Sequence, residues 1–89
     1  MRLGINQILL LNRCKKKGRI DRSDVEVVYG KKTVRRGMLF IDQATPILEK
    51  LELYGLIEKQ ETLNRVFYVL TMKGERILEE NLKRIMEVG

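Results

Sequence analysis

At 89 residues, 44% of them hydrophobic, the chain is sized for one domain, 1–89, and a domain this small buries only about 60–65% of its unfolded surface, which favours help from a partner. One cysteine, Cys14, and no histidine exclude an intrachain disulfide framework and a zinc site, and no apolar run approaches the ~20 residues of a membrane span. The net charge of +6 is uneven: residues 1–41 hold eleven Lys and Arg against three Asp and Glu, a net of +8, while residues 42–89 hold seven against nine, a net of −2.

In chain order, Ile5, Ile8, Leu9 and Asn12 set one face of a first helix, with Leu10 and Leu11 widening it. Lys15, Lys16 and Lys17 suit the negative end of that helix before Gly18. Arg19 to Asp21 is expected to be a short strand. Ser23 and Glu26 form an S-x-x-E capping box, and Val25, Val28 and Tyr29 follow at helical spacing, which predicts a second helix over about 24–30. Val25, Val27 and Tyr29 also alternate, and YGKK before Thr33 fits a hairpin turn; the capping box favours the helix.

Two arrangements fit residues 31–44. One is a long basic loop followed by a helix from Pro46 to Tyr54 only. In the other, Thr33 caps a helix through Val34, Met38 and Ile41 that bends near Thr45 and Pro46; Gly37 weakens it by about 1 kcal/mol relative to alanine. Charge favours the second, because Lys31, Lys32, Arg35 and Arg36 cluster upstream whereas Glu49 and Glu52 would repel a phosphate wall.

Thr45 is expected to cap the next helix, with Pro46 in its first turn and Ile47, Leu48, Leu51 and Tyr54 inward. Gly55 ends it. Strands are predicted from Leu56 to Glu61 and from Arg65 to Thr71, with Thr62, Leu63 and Asn64 at the tip. Thr71 then caps a last helix over 72–87, where Ile77, Leu78, Leu82, Ile85 and Met86 form an apolar stripe opposite Glu79, Glu80, Lys83 and Glu87. Packing on the first helix accounts for part of that stripe, and the excess suits a two-fold dimer seam.

The run from Thr45 to Gly74 resembles the winged-helix transcription regulators, particularly the small MarR and PadR groups. The matching residues are Gly55, Leu56 and Ile57 before the wing, then Leu70, Thr71 and Gly74 after it. The resemblance covers about a third of the chain. It implies an α+β, mainly helical winged helix-turn-helix of three helices, a short strand and a two-stranded wing, with an additional C-terminal helix and pairing as a homodimer. The 25 positions between Gly30 and Gly55 exceed the spacing in those regulators, so residues have been inserted.

The expected function is sequence-specific binding of double-stranded DNA by a cytoplasmic regulator. Lys31, Lys32, Arg35 and Arg36 are the expected phosphate contacts, with one arginine reaching guanine, and Thr33 and Gln43 are polar readers. Asn64 and Arg65 at the wing tip and Lys15, Lys16 and Lys17 complete the set. The dimer contact is expected at Ile77, Leu78, Leu82, Ile85 and Met86. No catalytic constellation, metal site, cofactor or membrane contact is expected, and no effector is specified. A winged helix that binds protein within a larger assembly, or a non-specific architectural DNA-binding protein, is the alternative. Cys14 reads as a small apolar residue and the three tyrosines as core or rim.

Overall fold

The protein's structure, a computed structural model, describes residues 1–30, 34–36, 39–41 and 43–88, the strands at 34–36 and 39–41 and residues 87–88 as backbone. Four helices and two hairpins follow in the order α1 (Ile5–Lys17), α2 (Arg22–Tyr29), β1 (Val34–Arg36), β2 (Leu39–Ile41), α3 (Thr45–Leu53), β3 (Ile57–Glu61), β4 (Val66–Leu70) and α4 (Met72–Val88). This is a winged helix-turn-helix with an added C-terminal helix. Among the described residues no helix is long and apolar enough to cross a membrane.

The core is built where the helical periodicities converge. Leu10, Leu11 and Cys14 of α1, Val25 of α2, Leu48 and Leu51 of α3, and Leu78 of α4 are buried together with Leu56, Ile57 and Tyr68 of the wing. Each such leucine contributes about 1.5–3 kcal/mol relative to exposure. The expected short strand is a single bridge: the Ile20 amide donates to the Tyr68 carbonyl at 2.9 Å and the Tyr68 amide returns the bond at 2.8 Å. Ile20 therefore extends the wing by one rung.

The turn from α3 into the wing and out again is one clip. Gly55 sits at φ +77, a left-handed conformation that a Cβ would disfavour. The Thr71 hydroxyl donates to the Gly55 carbonyl at 2.6 Å and accepts the Gly74 amide at 2.9 Å, while the Thr71 amide donates to the Leu56 carbonyl. Thr71 caps α4 and anchors it to the end of α3. Midway along α4, buried Asn81 accepts the Leu3 amide and donates to the Met1 and Ile77 carbonyls, so the first residues are strapped along this helix.

Three expectations are corrected. Residues 34–36 and 39–41 are antiparallel strands, paired Val34 to Ile41, Arg35 to Phe40 and Arg36 to Leu39, and neither a helix nor a loop. Only two positions, 37 and 38, separate the paired ends in sequence, the spacing of a tight hairpin. Second, α2 is capped by Asp21, which accepts the Ser23 amide, with Asp24 reaching back to the Asp21 amide; Ser23 lies inside the helix. Third, Ala44 holds the cap position of α3 and Thr45 is its first residue. Ala44 is buried in the core, and that contact sets the helix start.

Candidate nucleic-acid interface

The link from α1 to α2 is fixed by one buried carboxylate. Asp24 is 2% exposed, and its Oδ1 accepts from Arg13 Nε and Lys17 Nζ while Oδ2 accepts the Asp21 amide at 2.9 Å. Burial raises its pKa, but the donors from Lys17, Arg13 and Asp21 outweigh it and hold the carboxyl at about 2, below the ordinary 3.8. Because the folded pKa lies below the unfolded one, this group contributes its full stability above 3.8 and loses it as pH falls through about 2. The contribution is about 2 kcal/mol. In denaturant titrations the stability gap between the wild type and Asp24→Asn should shrink by about that amount between pH 6 and pH 2; a gap constant over this range would refute the assignment.

The same pairing decides which cations remain for a ligand. Lys17 and Arg13 are turned toward Asp24, and Lys15 reaches Glu79 at 3.3 Å and Glu75 at 3.5 Å across the α1–α4 seam. Of the three lysines proposed at the end of α1, Lys16 is exposed and has no carboxylate partner among the described residues.

Two clefts flank the first residue of β4. One, of about 420 Å³, is lined by Lys17, Arg19, Asp21, Asp24, Arg65 and Phe67. The Arg19 guanidinium lies 5.0 Å from the centre of the Phe67 ring, a cation–π contact that holds it at the rim. The other, of about 230 Å³, lies between α3 and the wing and is lined by Arg22, Thr45, Glu49, Lys59 and Tyr68. Val66 lines both. Arg19 and Arg65 thus share one rim, and Arg22 and Lys59 the adjacent one.

Of the residues proposed from sequence, Asn64 and Arg65 are exposed at the wing tip, and Gln43 is half-buried just ahead of α3. Arg35 and Arg36 lie on β1, while Lys31, Lys32 and Thr33 fall outside the described residues. The insertion therefore puts the segment KKTVRR between the two helices of the helix-turn-helix. On α3 the exposed residues are Pro46, Glu49, Lys50 and Leu53, the last 84% exposed. The apolar stripe of α4 divides: Ile77 and Leu78 are buried in the chain's own core, Leu82 is half-buried against it, and Ile85 and Met86 are 39% and 78% exposed.

Arg19, Arg22 and Lys59 line these clefts but are absent from the sequence-derived set, and Lys59 is itself paired with Glu61 at 3.2 Å. A signal existed for Arg19, because the predicted strand over Arg19–Asp21 pairs with the wing and so brings it beside Arg65. Lys59 carries no such signal, since only the packing of the wing against the helices puts it in one cleft with Arg22.

No family model matches the chain, and no curated protein is significantly similar to it. Among solved structures it is similar to a probable transcriptional regulator from Pseudomonas aeruginosa, with a TM-score of 0.69 and 21% identity. That likeness takes in 97% of this chain and 61% of the other, so this chain spans about three fifths of the regulator's length. At this identity the likeness is one of fold.

Proposed function

We propose that the chain binds double-stranded DNA sequence-specifically, as a small cytoplasmic transcription regulator acting as a homodimer without cofactor or catalysis. The observation that carries this reading is the coincidence of fold and charge. A helix-turn-helix has been opened between α2 and α3 to admit a hairpin whose incoming segment holds Lys31, Lys32, Arg35 and Arg36, in a half of the chain with net charge +8 from eleven basic and three acidic residues. These side chains contact phosphates, one arginine reads guanine, and Thr33 and Gln43 are polar readers. Arg19 and Arg65 add backbone contacts from the wing side, and Lys16 adds one from the end of α1.

The test is a duplex-binding series in salt. Neutralising about six phosphates gives log affinity a slope near −5 against log salt. Binding that ignores salt eliminates the proposal. The dimer contact is the outer end of α4, where Ile85 and Met86 are exposed beside Leu82; light scattering that returns a stable monomer at micromolar concentration removes it.

A second reading has its own support. The outer face of α3 presents Glu49 and a largely bare Leu53, which suits a protein surface better than a phosphate wall. The same salt series separates the two, since a protein-binding module needs no salt-dependent retardation of DNA, and equal affinity for all sequences identifies an architectural coating protein.

A further inference from the structure

The wing ends in a fully exposed leucine, Leu63. The ladder of β3 and β4 closes at Glu61 and Val66, and beyond it the Thr62 amide donates to the Arg65 carbonyl at 2.8 Å. Leu63 and Asn64 therefore occupy the apex of a two-residue turn, and among the described residues no non-glycine has a positive φ. Turn apices favour Asn, Asp, Gly or Pro, which supply a local hydrogen bond or a needed dihedral; leucine supplies neither. It also finds no packing, with 103% relative exposure. Its side chain is therefore available to an external contact.

The surroundings of Leu63 specify that contact. Asn64 and Arg65 follow it and are both exposed. The acid nearest the tip, Glu61, is paired with Lys59 at 3.2 Å, and Arg19 shares the cleft with Arg65 directly behind the tip. An apolar apex followed by an amide and a guanidinium, on a ribbon whose base shares a cleft with Arg19, matches the chemistry by which proteins enter the minor groove. There the apolar side chain wedges between base pairs and the polar neighbours read groove edges and phosphates.

We infer that the wing tip is a minor-groove wedge: Leu63 inserts at a deformable pyrimidine–purine step, Arg65 and Arg19 hold the adjoining backbone, and the duplex is kinked as it binds. This rests on the DNA-binding reading of the preceding section. The wedge gives the protein a part of its specificity that no direct base contact supplies, because the energy of unstacking depends on the step being opened.

The experiment is a selection of duplexes from a random-sequence pool, run in parallel with the wild-type chain and Leu63→Ala, followed by end-to-end fluorescence transfer on the wild-type-selected duplexes. The wild type should enrich a TA or CA/TG step at a fixed offset from the rest of the motif and shorten the end-to-end distance. Leu63→Ala should keep its melting temperature and the slope of affinity against salt, lose the enrichment at that step, bind the selected duplex about tenfold more weakly, and leave it nearly straight. If Leu63→Ala selects the same step with the same bend, the wedge is wrong while DNA binding stands. If the wild type enriches no sequence at all, the regulator reading itself fails and the wedge with it.

Discussion

Gly74→Ala is expected to destabilise the fold by about 3 kcal/mol or more. A Cβ on Gly74 would lie 2.0 Å from the Leu56 carbonyl oxygen and 2.9 Å from both the Leu56 carbonyl carbon and Leu70 Cδ1. Leu56 cannot yield, because its side chain is fully buried, its amide donates to the Leu51 carbonyl and its carbonyl accepts the Thr71 amide. Relief requires α4 to withdraw from the end of α3 by more than 1 Å, which breaks the hydroxyl clip of Thr71 on Gly55 and Gly74. For a domain of this size about 3 kcal/mol lowers the melting temperature by roughly 12–24 °C. Gly4→Ala, whose added Cβ meets only Gln7 Oε1 at 3.8 Å, should cost no more than about 1 kcal/mol, the loss of a glycine N-cap on α1. Thermal melts of the two variants decide the matter, and a Gly74→Ala protein that melts with the wild type would show that α4 does not rest on the Leu56 carbonyl.

The largest effect on binding is expected from the inserted hairpin. Changing Lys31, Lys32, Arg35 and Arg36 together to glutamine keeps side-chain length while removing four charges. If each contacts a phosphate, the slope of log affinity against log salt should flatten by between 3 and 4, from roughly 0.9 per contact, with an affinity loss of about a thousandfold near 0.1 M salt. The paired change Arg19→Gln and Arg65→Gln, on the wing side, should flatten the slope by about 2 and leave the hairpin's share intact. The two sets of variants divide the surface between the insertion and the wing. A hairpin variant with an unaltered slope, beside a wing variant that loses most of it, would move the interface to the clefts around Val66.

The wing was legible because its punctuation is local. Thr45-Pro46, Gly55, the alternation from Val66 to Leu70 and the Thr71-to-Gly74 spacing each act over a few residues, and all recur in the structure with only the cap of α3 displaced to Ala44. The insertion misled for the opposite reason. Val34, Met38 and Ile41 fall at i, i+4 and i+7 as a helix would have them, but a short apolar segment does not separate the two periods, and the cross-strand pairing of Val34 with Ile41 is what the chain adopts. At α2 two capping patterns overlap, Ser23 with Glu26 and Asp21 with Asp24. The second prevails in company with Arg13 and Lys17 of α1, which bring two charged donors to Asp24 that no local pattern announces.

The sequence alone determined the order of most elements, the wing with its two critical glycines and the concentration of positive charge in the first 41 residues, because backbone preference and composition are properties of neighbours. Only the tertiary structure decided which cations are spent within the fold, which half of the α4 stripe is covered, and that Leu63 stands fully exposed. Those outcomes depend on partners far apart in the chain. Arg13 and Asp24 are 11 positions apart, Lys15 and Glu79 are 64 apart, and Arg84 reaches the Leu3 carbonyl across 81. Burial and ion pairing are set by such encounters, and no window of sequence contains both halves of them.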